Sequence, residues 1–165
     1  LRWGGWLLLL SLLVIVLDQA SKQWVVENIL PGQRINIVPL FDITLTFNRG
    51  AAFSLLSDAG GWQRYFFTAI ASVVSVVLFF WLLGLERKQW LLACALAFVL
   101  GGAIGNLWDR VQLGYVVDFL LVYIDPQVLS SFSNEHPFPV FNIADSAIFI
   151  GAVLILLDGF VNKAE

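Results

Sequence analysis

The feature that most constrains this chain is a pair of long stretches without a charged residue, at positions 65–85 and 89–108. Each is about as long as the roughly 20 apolar residues that a helix needs to cross a membrane. The composition agrees, because 59% of the residues are hydrophobic and only 13% are charged, about half the charged fraction of a typical soluble domain. We therefore predict a mainly α-helical integral membrane protein.

Two weaker stretches extend this pattern to four transmembrane helices, at about 6–25, 65–85, 89–108 and 142–160, in a single domain over residues 1–165. A cleavable signal peptide is the alternative for the first stretch. However, a charge follows its apolar part where a small-residue cleavage site would be needed, so we expect a retained helix. Four basic residues would lie on one side of the membrane and five on the other, so the positive-inside rule does not orient the chain.

The segments between the spans, at about 27–61 and 110–140, are expected to lie on one side of the membrane. Residues 35–38 and 41–47 read as strands, and the second alternates apolar with polar side chains, which is the period of a half-buried strand. We predict a small sheet at the membrane surface. Residues 50–56 read as a short apolar helix or flap, and residues 123–139 read as a loop that contains His136.

Two aspartates, Asp118 and Asp145, stand out because they lie beside or inside sequence that reads as membrane-embedded. A carboxylate in that setting is costly to bury and by default marks a functional site. For Asp118 the ordinary alternative is a solvated acid in a loop. For Asp145 it is a helix cap or a first-turn acid that favours the helix dipole. Neither alternative explains a matched pair in an apolar context, so we expect the two to act together.

Two carboxylates held close together cannot both ionise easily, so they share one proton and titrate as a unit. The ionised member can take a proton from water that attacks a peptide carbonyl. The protonated member supports the oxyanion and later protonates the leaving amine. No metal is expected, because one cysteine and one histidine cannot supply the usual zinc ligands.

The run GGAIGNLWDR closes the third span and places polar groups at helix spacing. Gly101 and Gly105 share a face that allows close helix packing. Gly102, Asn106 and Arg110 form the adjoining stripe. Packing alone explains the glycines but not an amide and a guanidinium on one stripe, which suggests something polar for them to hold.

Other polar positions have a structural and a functional interpretation. Asp18 and Lys22 lie four apart and can pair on one helix face, although an ordinary ion pair near a helix end is the alternative. Asn142 and Asp145 lie three apart at the start of the last span. Asn48 follows a strand end, either as a turn residue or as a donor that grips an extended peptide.

Together these motifs resemble the bacterial lipoprotein signal peptidases, the type II signal peptidases. The matching runs are LDQASK at 17–22, FNRGAAFS at 47–54, GGAIGNLWDR at 101–110, VVDF at 116–119 and FNIADSA at 141–147. They come in the family's order and cover nearly the whole chain, so the ordered set is far more specific than any one run. One departure is the segment between Asp118 and Asp145, which is longer than is typical of the family.

The resemblance implies a four-helix aspartic endopeptidase of the bacterial inner membrane, with cytoplasmic termini, an extracytoplasmic sheet that cradles the substrate, and a flap near the site. It implies cleavage of a lipid-modified prolipoprotein just before the diacylglyceryl-modified cysteine, in contact with membrane lipid and without a cofactor. The resemblance suggests no larger assembly, so we expect a monomer. The implied catalytic dyad is Asp118 and Asp145. The implied substrate-binding or site-shaping residues are Asp18, Lys22, Asn48, Gly102, Asn106, Arg110 and Asn142.

Two other classes of function remain open at this stage. Intramembrane acids also serve proton relays, but the chain shows no internal repeat of the kind that transporters use. A structural scaffold would explain the glycines and leave both aspartates without a role. The net charge of -3 gives no reason to expect a nucleic acid partner.

Overall fold

The computed structural model describes residues 4–50, 62–123 and 139–161. Within these ranges the chain forms four α-helices, α1 (Gly4–Asn28), α2 (Trp62–Gly84), α3 (Trp90–Gln112) and α4 (Ile143–Val161). All four are long and apolar enough to cross a membrane. Each predicted span falls on one of them, so the predicted mainly helical membrane fold is confirmed. Residues 51–56 of the predicted flap and residues 124–138 of the predicted loop, including His136, lie outside the described residues.

Helix α3 is the centre of the bundle, and the other three helices pack around it. Of the residues in its most apolar stretch, 50% are buried, whereas 17–22% are buried in the corresponding stretches of the other helices. Small residues on its buried face let the neighbouring helices approach closely; they include Ala93, Ala97, Gly101, Gly102 and Gly105. The outer helices turn large apolar side chains outward, such as Phe80 and Phe160, as expected for helices that face lipid.

A small antiparallel sheet lies at the end of the bundle where α1 and α3 end. It consists of β1 (Arg34–Val38), β2 (Phe41–Asn48) and β3 (Val116–Val122), in the order β1-β2-β3. The two predicted strands are confirmed as β1 and β2. Strand β3 was not predicted, although the β-branched residues of VVDFLLV favour a strand. The interpretation of Asp118 as a solvated loop acid is therefore wrong, because Asp118 lies in β3 and is 2% exposed.

An apolar cluster joins this sheet to α1 and sets the direction of Asp118. Val25 lies in the last turn of α1, and Ile29 directly follows the helix. Both belong to an apolar cluster with Leu45 of β2 and with Val117 and Phe119 of β3. Burying side chains of this size stabilises the fold by about 1.5–3 kcal/mol each. Successive side chains of a strand point to opposite faces of the sheet. Because Val117 and Phe119 face the apolar cluster, Asp118 lies on the opposite face.

Strand β2 departs from simple alternation of buried and exposed side chains. Asp42 and Thr44 are buried, whereas Phe47, on the predicted apolar face, is exposed. Asp42 is tolerated because its Oδ1 accepts hydrogen bonds from Asn36 at 2.7 Å and from the hydroxyl of Tyr123 at 3.3 Å. An irregular register between β2 and β3 also interrupts the pattern halfway along the strand.

The connection from α3 to β3 is fixed by a cap from another helix. Arg64 of α2 donates from Nε to the carbonyl of Arg110 and from Nη2 to the carbonyl of Val111, both at 3.0 Å. These are carbonyls that a helix end leaves unpaired. Gly114 follows with a φ of 84°, a conformation that favours glycine, and the chain turns back into β3.

Candidate active site

Asp118 projects from β3 into a cluster of amide donors. Its Oδ2 accepts a hydrogen bond from Asn48 Nδ2 at 3.0 Å, and its Oδ1 accepts one from Asn142 Nδ2 at 2.7 Å. Asn48 ends the neighbouring strand, and its Oδ1 also accepts the backbone N–H of Gly50 at 3.0 Å. Asn48 therefore forms the predicted turn and also contacts the aspartate, whereas its predicted grip on an extended peptide stays a prediction.

Asp145 lies in the first turn of α4 and closes a reciprocal cap with Asn142. The Oδ1 of Asn142 accepts the backbone N–H of Asp145 at 2.9 Å, and the Oδ2 of Asp145 accepts the backbone N–H of Asn142 at 3.2 Å. This is the pattern of a capping box. The capping interpretation is thus correct for one oxygen of Asp145. The other oxygen, Oδ1, accepts a hydrogen bond from Asn106 Nδ2 of α3 at 2.8 Å.

Asn142 brings the two aspartates together. Its side chain donates to Asp118 while its backbone N–H donates to Asp145, so the carboxylates lie on either side of one fully buried residue. Both line one cavity of about 630 Å³. The remaining lining is largely apolar and comprises Asn48, Asn106, Arg110, Val116, Pro139, Val140, Phe141, Ser146, Ile148, Phe149, Ile150 and Ala152.

The environment of Asp118 favours its protonated form. Burial raises the pKa of Asp118 to about 7, and the charge of Asp145 adds to that rise. The hydrogen bonds from Asn48 and Asn142 and the positive charge of Lys22 oppose it. Since burial is the largest of these effects, the cavity holds a carboxyl group that keeps its proton close to neutral pH.

Arg110 supplies the positive charge that lines the cavity. Its Nη1 donates to the carbonyl of Asn106 at 3.3 Å, and its guanidinium lies over the ring of Phe67, 5.8 Å from the ring centre. No ion pair joins Arg110 to Asp118 or Asp145 within the described residues.

Asp18 and Lys22 do not line the cavity but lie behind Asn106 in a buried network. The Nζ of Lys22 contacts Asp18 at 2.8 Å, Asp109 at 2.9 Å and the Oδ1 of Asn106 at 3.1 Å. The side chains of Lys22 and Asp18 are 4% and 0% exposed. The alternative of an ordinary pair near a helix end is therefore wrong, because this pair lies in the core of the protein.

Asp18 also holds the start of the last helix. Its Oδ1 accepts the backbone N–H of Ala144 at 2.9 Å, which satisfies one of the donors that a helix leaves unpaired at its first turn. A carboxylate at that end also interacts favourably with the helix dipole. The first helix thus fixes the helix that carries Asp145.

Two members of the network were not predicted, namely Gln19 and Asp109. The Nε2 of Gln19 donates to Asp18 at 3.1 Å and to Asp109 at 2.9 Å. The Oδ2 of Asp109 accepts the backbone N–H of Val117 at 3.0 Å, next to Asp118. Gln19 lies in the motif LDQASK and Asp109 in the motif GGAIGNLWDR. Asp109 could have been predicted as a second acid that pairs with a buried lysine.

The glycines of α3 serve the two faces that the sequence suggested. A Cβ on Gly101 would come within 2.7 Å of Val14, and a Cβ on Gly105 within 2.7 Å of Asp18, both on α1. A Cβ on Gly102 would meet the carbonyl oxygen of Ala144 in α4. Gly102 therefore shapes the site by letting α4 approach α3.

The part of the chain that the structure describes contains no group of three or more His, Cys, Asp or Glu side chains that could hold a metal ion. Of the predicted site residues, Asn48, Asn106, Arg110, Asp118 and Asp145 meet at the cavity. Asp18, Lys22, Gly102 and Asn142 support them from behind.

Comparison with known proteins agrees with this geometry. A family model described as "Signal peptidase (SPase) II" matches residues 10–161. The chain belongs to this family. It is 52% identical to the lipoprotein signal peptidase of Pseudomonas fluorescens, over 98% of this chain and 92% of that protein. It is 53% identical to that of Pseudomonas putida, over 98% and 91% of the two proteins.

Two solved structures, both described as bacterial membrane enzymes determined by the in meso method, share the fold. One superposes with a TM-score of 0.82 and 29% identity, over 98% of this chain and 92% of that chain. The other gives a TM-score of 0.75 and 29% identity, over 94% and 93%. The resemblance drawn from the motifs is confirmed at the level of the family, and with it a multi-pass membrane protease.

Proposed function

We propose that the chain is an aspartic endopeptidase that removes the signal peptide from a lipid-modified prolipoprotein, with Asp118 and Asp145 as its catalytic dyad. It would cut just before the diacylglyceryl-modified cysteine, at the outer face of the inner membrane. The observation that carries this proposal is the sharing of Asn142. Two carboxylates flank one buried amide, line one cavity, and accept hydrogen bonds from side-chain and backbone amides.

The dyad holds one proton between its two members, and the raised pKa of Asp118 favours that residue as the holder. Asp145, which accepts hydrogen bonds from a side-chain amide and a backbone N–H at a helix start, is the ionised member. The pair then provides a base and an acid within reach of the same water molecule.

Hydrolysis follows from these protonation states. Asp145 takes a proton from water as the water oxygen bonds to the scissile carbonyl carbon, and Asp118 gives its proton to the carbonyl oxygen. As the carbon–nitrogen bond breaks, Asp145 passes its proton to the leaving nitrogen and Asp118 regains a proton from the diol. Asn48 and Asn142 hold Asp118 in place, and Arg110 donates to a backbone carbonyl of the substrate.

The lining of the cavity suits a lipid-modified substrate. Its apolar residues continue down α4 from Asp145 through Ile148 and Phe149 to Ala152, a distance of about 10 Å along a helix. A diacylglyceryl group carries its own apolar anchor, so the scissile bond would lie near the membrane surface with the acyl chains against these residues. Cytoplasmic termini and a monomeric enzyme complete the proposal.

Incubating purified Asp118→Asn and Asp145→Asn variants with a diacylglyceryl-modified prolipoprotein tests the dyad. We expect both variants to release signal peptide at least about a hundredfold more slowly than the parent, as read by mass spectrometry, while both remain folded in detergent. The matched control is Glu86→Gln, which alters an exposed carboxylate at the other end of the bundle and should cleave normally. Full activity in either aspartate variant would refute the dyad. Equal cleavage of an unmodified precursor would refute the lipid requirement.

A further inference from the structure

Lys22 reaches the catalytic cavity only through other residues. It lines a second cavity of about 520 Å³ between α1 and α3, together with Gln19, Asp109 and Trp108 among others. The linings of the two cavities have no residue in common. Asn106 separates them, because its Oδ1 contacts Lys22 and its Nδ2 contacts Asp145.

The chemistry of lysine fixes which way the Asn106 amide points. An ammonium group has three donors and no acceptor, so the atom of Asn106 that faces Lys22 at 3.1 Å must be the oxygen. The nitrogen must then face Asp145, at 2.8 Å. A reversed amide would place two donors together on one side and two acceptors together on the other.

The amide of Asn142 has an orientation that matches that of Asn106. The Oδ1 of Asn106 also accepts from Asn142 Nδ2 at 3.1 Å, so the nitrogen of that second amide lies on this side. From there Asn142 Nδ2 also faces Asp118 Oδ1 at 2.7 Å. The Oδ1 of Asn142 accepts the backbone N–H of Asp145, which agrees with this orientation. The Nδ2 of Asn142 also donates to the carbonyl of Val117 at 3.2 Å, so backbone groups hold the Asn142 amide in the same sense in which Lys22 orients Asn106.

We propose that Lys22 is a positioning residue that fixes the orientation of the Asn106 amide and thereby presents its N–H donor to Asp145 of the dyad. This rests on the proposed aspartic mechanism. Lys22 does not line the catalytic cavity and does not contact the reacting atoms. Without its ammonium, the oxygen of Asn106 keeps the donor of Asn142 but loses that of Lys22, so the amide is held less firmly toward Asp145.

The competing role for Lys22 is charge compensation for Asp18 and Asp109. The charged groups around Lys22 and the two amides are Asp18 on α1, Asp109 and Arg110 on α3, Asp118 on β3 and Asp145 on α4. A variant that removes Lys22 alone leaves two buried carboxylates uncompensated and tests mainly folding. The informative variant therefore removes one acid together with the lysine.

The test compares Lys22→Met/Asp109→Asn with Asp109→Asn alone, in the full chain. The two proteins share the loss of Asp109 and differ in the ammonium. We expect the double variant to lose about tenfold to a hundredfold in kcat, the size of effect that a small misplacement of catalytic groups causes. KM should change little, and the acidic limb of the pH–activity profile should move to higher pH. Lys88→Met, in an exposed pair, should match the parent.

Chemical rescue separates positioning from general stability. Lys22→Ala/Asp109→Asn opens space next to the second cavity, through which propylammonium can enter without crossing the catalytic cavity. We expect propylammonium to restore kcat, because it supplies N–H donors to Asn106. Tetramethylammonium carries the same charge without a donor and should not restore it.

Three outcomes would overturn the proposal: kcat equal in the double variant and in Asp109→Asn, an unchanged pH profile, or equal rescue by both ammonium ions. Asp118→Asn is assayed alongside. If Asp118→Asn is active, the aspartic mechanism itself fails. If Asp118→Asn is inactive while the Lys22 variants keep full kcat, only the role given to Lys22 fails.

Discussion

The molecule buries two pairs of aspartates on opposite sides of Asn106, and it treats them differently. Asp18 and Asp109 share the ammonium of Lys22, at 2.8 and 2.9 Å. Asp118 and Asp145 receive hydrogen bonds from uncharged amide and backbone donors. The ammonium compensates the charge of the first pair, whereas the donors around the second pair carry no charge. The first pair is thereby suited to support, and the second to proton transfer.

The largest test of this contrast concerns the second pair. Asp118→Asn and Asp145→Asn should each lower kcat/KM by roughly 10²–10⁴-fold, the usual contribution of acid–base catalysis. The double variant should be no worse than either single variant, because residues that act as a unit are not additive. Single-turnover cleavage of a lipid-modified precursor measures all three. Losses that multiply in the double variant would show that the two act independently.

The contribution of the first pair, Asp18 and Asp109, should be visible in the free energy of unfolding. Lys22→Met leaves Asp18 and Asp109 buried without a cation, and breaking a buried pair in this way costs about 3–5 kcal/mol. Thermal unfolding in detergent measures the loss. Lys88→Met removes a lysine from an exposed pair and should cost at most about 1 kcal/mol. Similar values for the two variants would contradict the contrast.

A smaller effect is expected from the packing that holds α4 against α3. In Gly102→Ala the new Cβ meets the carbonyl oxygen of Ala144, so α4 must shift and carry Asp145 with it. Overpacking of this kind costs about 1–3 kcal/mol, and activity should fall in parallel. Gly84→Ala places its Cβ in open space and is the matched control for both readouts. A fully active Gly102→Ala enzyme would show that the site tolerates this shift.

The pH dependence of activity tests the proton affinity of the second pair. The pKa of Asp118 is raised to about 7 by burial and by the charge of Asp145. Asp118 therefore holds its proton below that pH and loses it above. We expect kcat/KM to fall by about tenfold per pH unit above about 7. A rate that stays constant to pH 9 would contradict the assignment of the proton to Asp118.

The same shift makes a prediction about folding with a definite sign. A carboxyl group whose pKa is higher in the folded state stabilises the fold at low pH, and this contribution is lost as the pH rises through about 7. Asp118→Asn lacks the titrating group. The stability of this variant should therefore improve relative to the parent between pH 4 and pH 8, as followed by thermal unfolding. A constant difference across that range would argue against the shift.

The smallest expected effect is that of a chelator. Water activation is assigned to the dyad, so cleavage should proceed at an unchanged rate in a strong chelator such as EDTA. The measurement is the initial rate before and after treatment. A loss of activity that zinc restores would require a different mechanism.

Much of the fold followed from the sequence because membrane helices are determined locally. A stretch such as 65–85 contains all the information that its helix requires. Strand β3 was missed because its pairing with β2 depends on residues about 70 positions away, as in the contact of Asn48 with Asp118. The short run VVDFLLV gave no periodicity that distinguishes a strand from a loop at the end of a helix.

The same limit applied to the site. The motifs singled out both aspartates, yet their meeting depends on Asn142, which the sequence could place beside Asp145 but not beside Asp118. Asp109 was overlooked because its partner Lys22 lies 87 positions earlier in the chain. Spacing reveals neighbours on one helix, whereas a network built from three helices and a strand is visible only in three dimensions.

The hydrogen bond from Ala144 to Asp18 has a consequence for how the enzyme is made. The ribosome produces the first helix early and the last helix near the end of synthesis. Asp18 is therefore in the membrane before the backbone N–H of Ala144 is available to it. Lys22 and, once α3 has inserted, Asp109 and Gln19 are available to it during that interval. The arriving helix then completes the dyad in one docking event. The nascent chain is therefore expected to have no proteolytic activity until its final helix is in place.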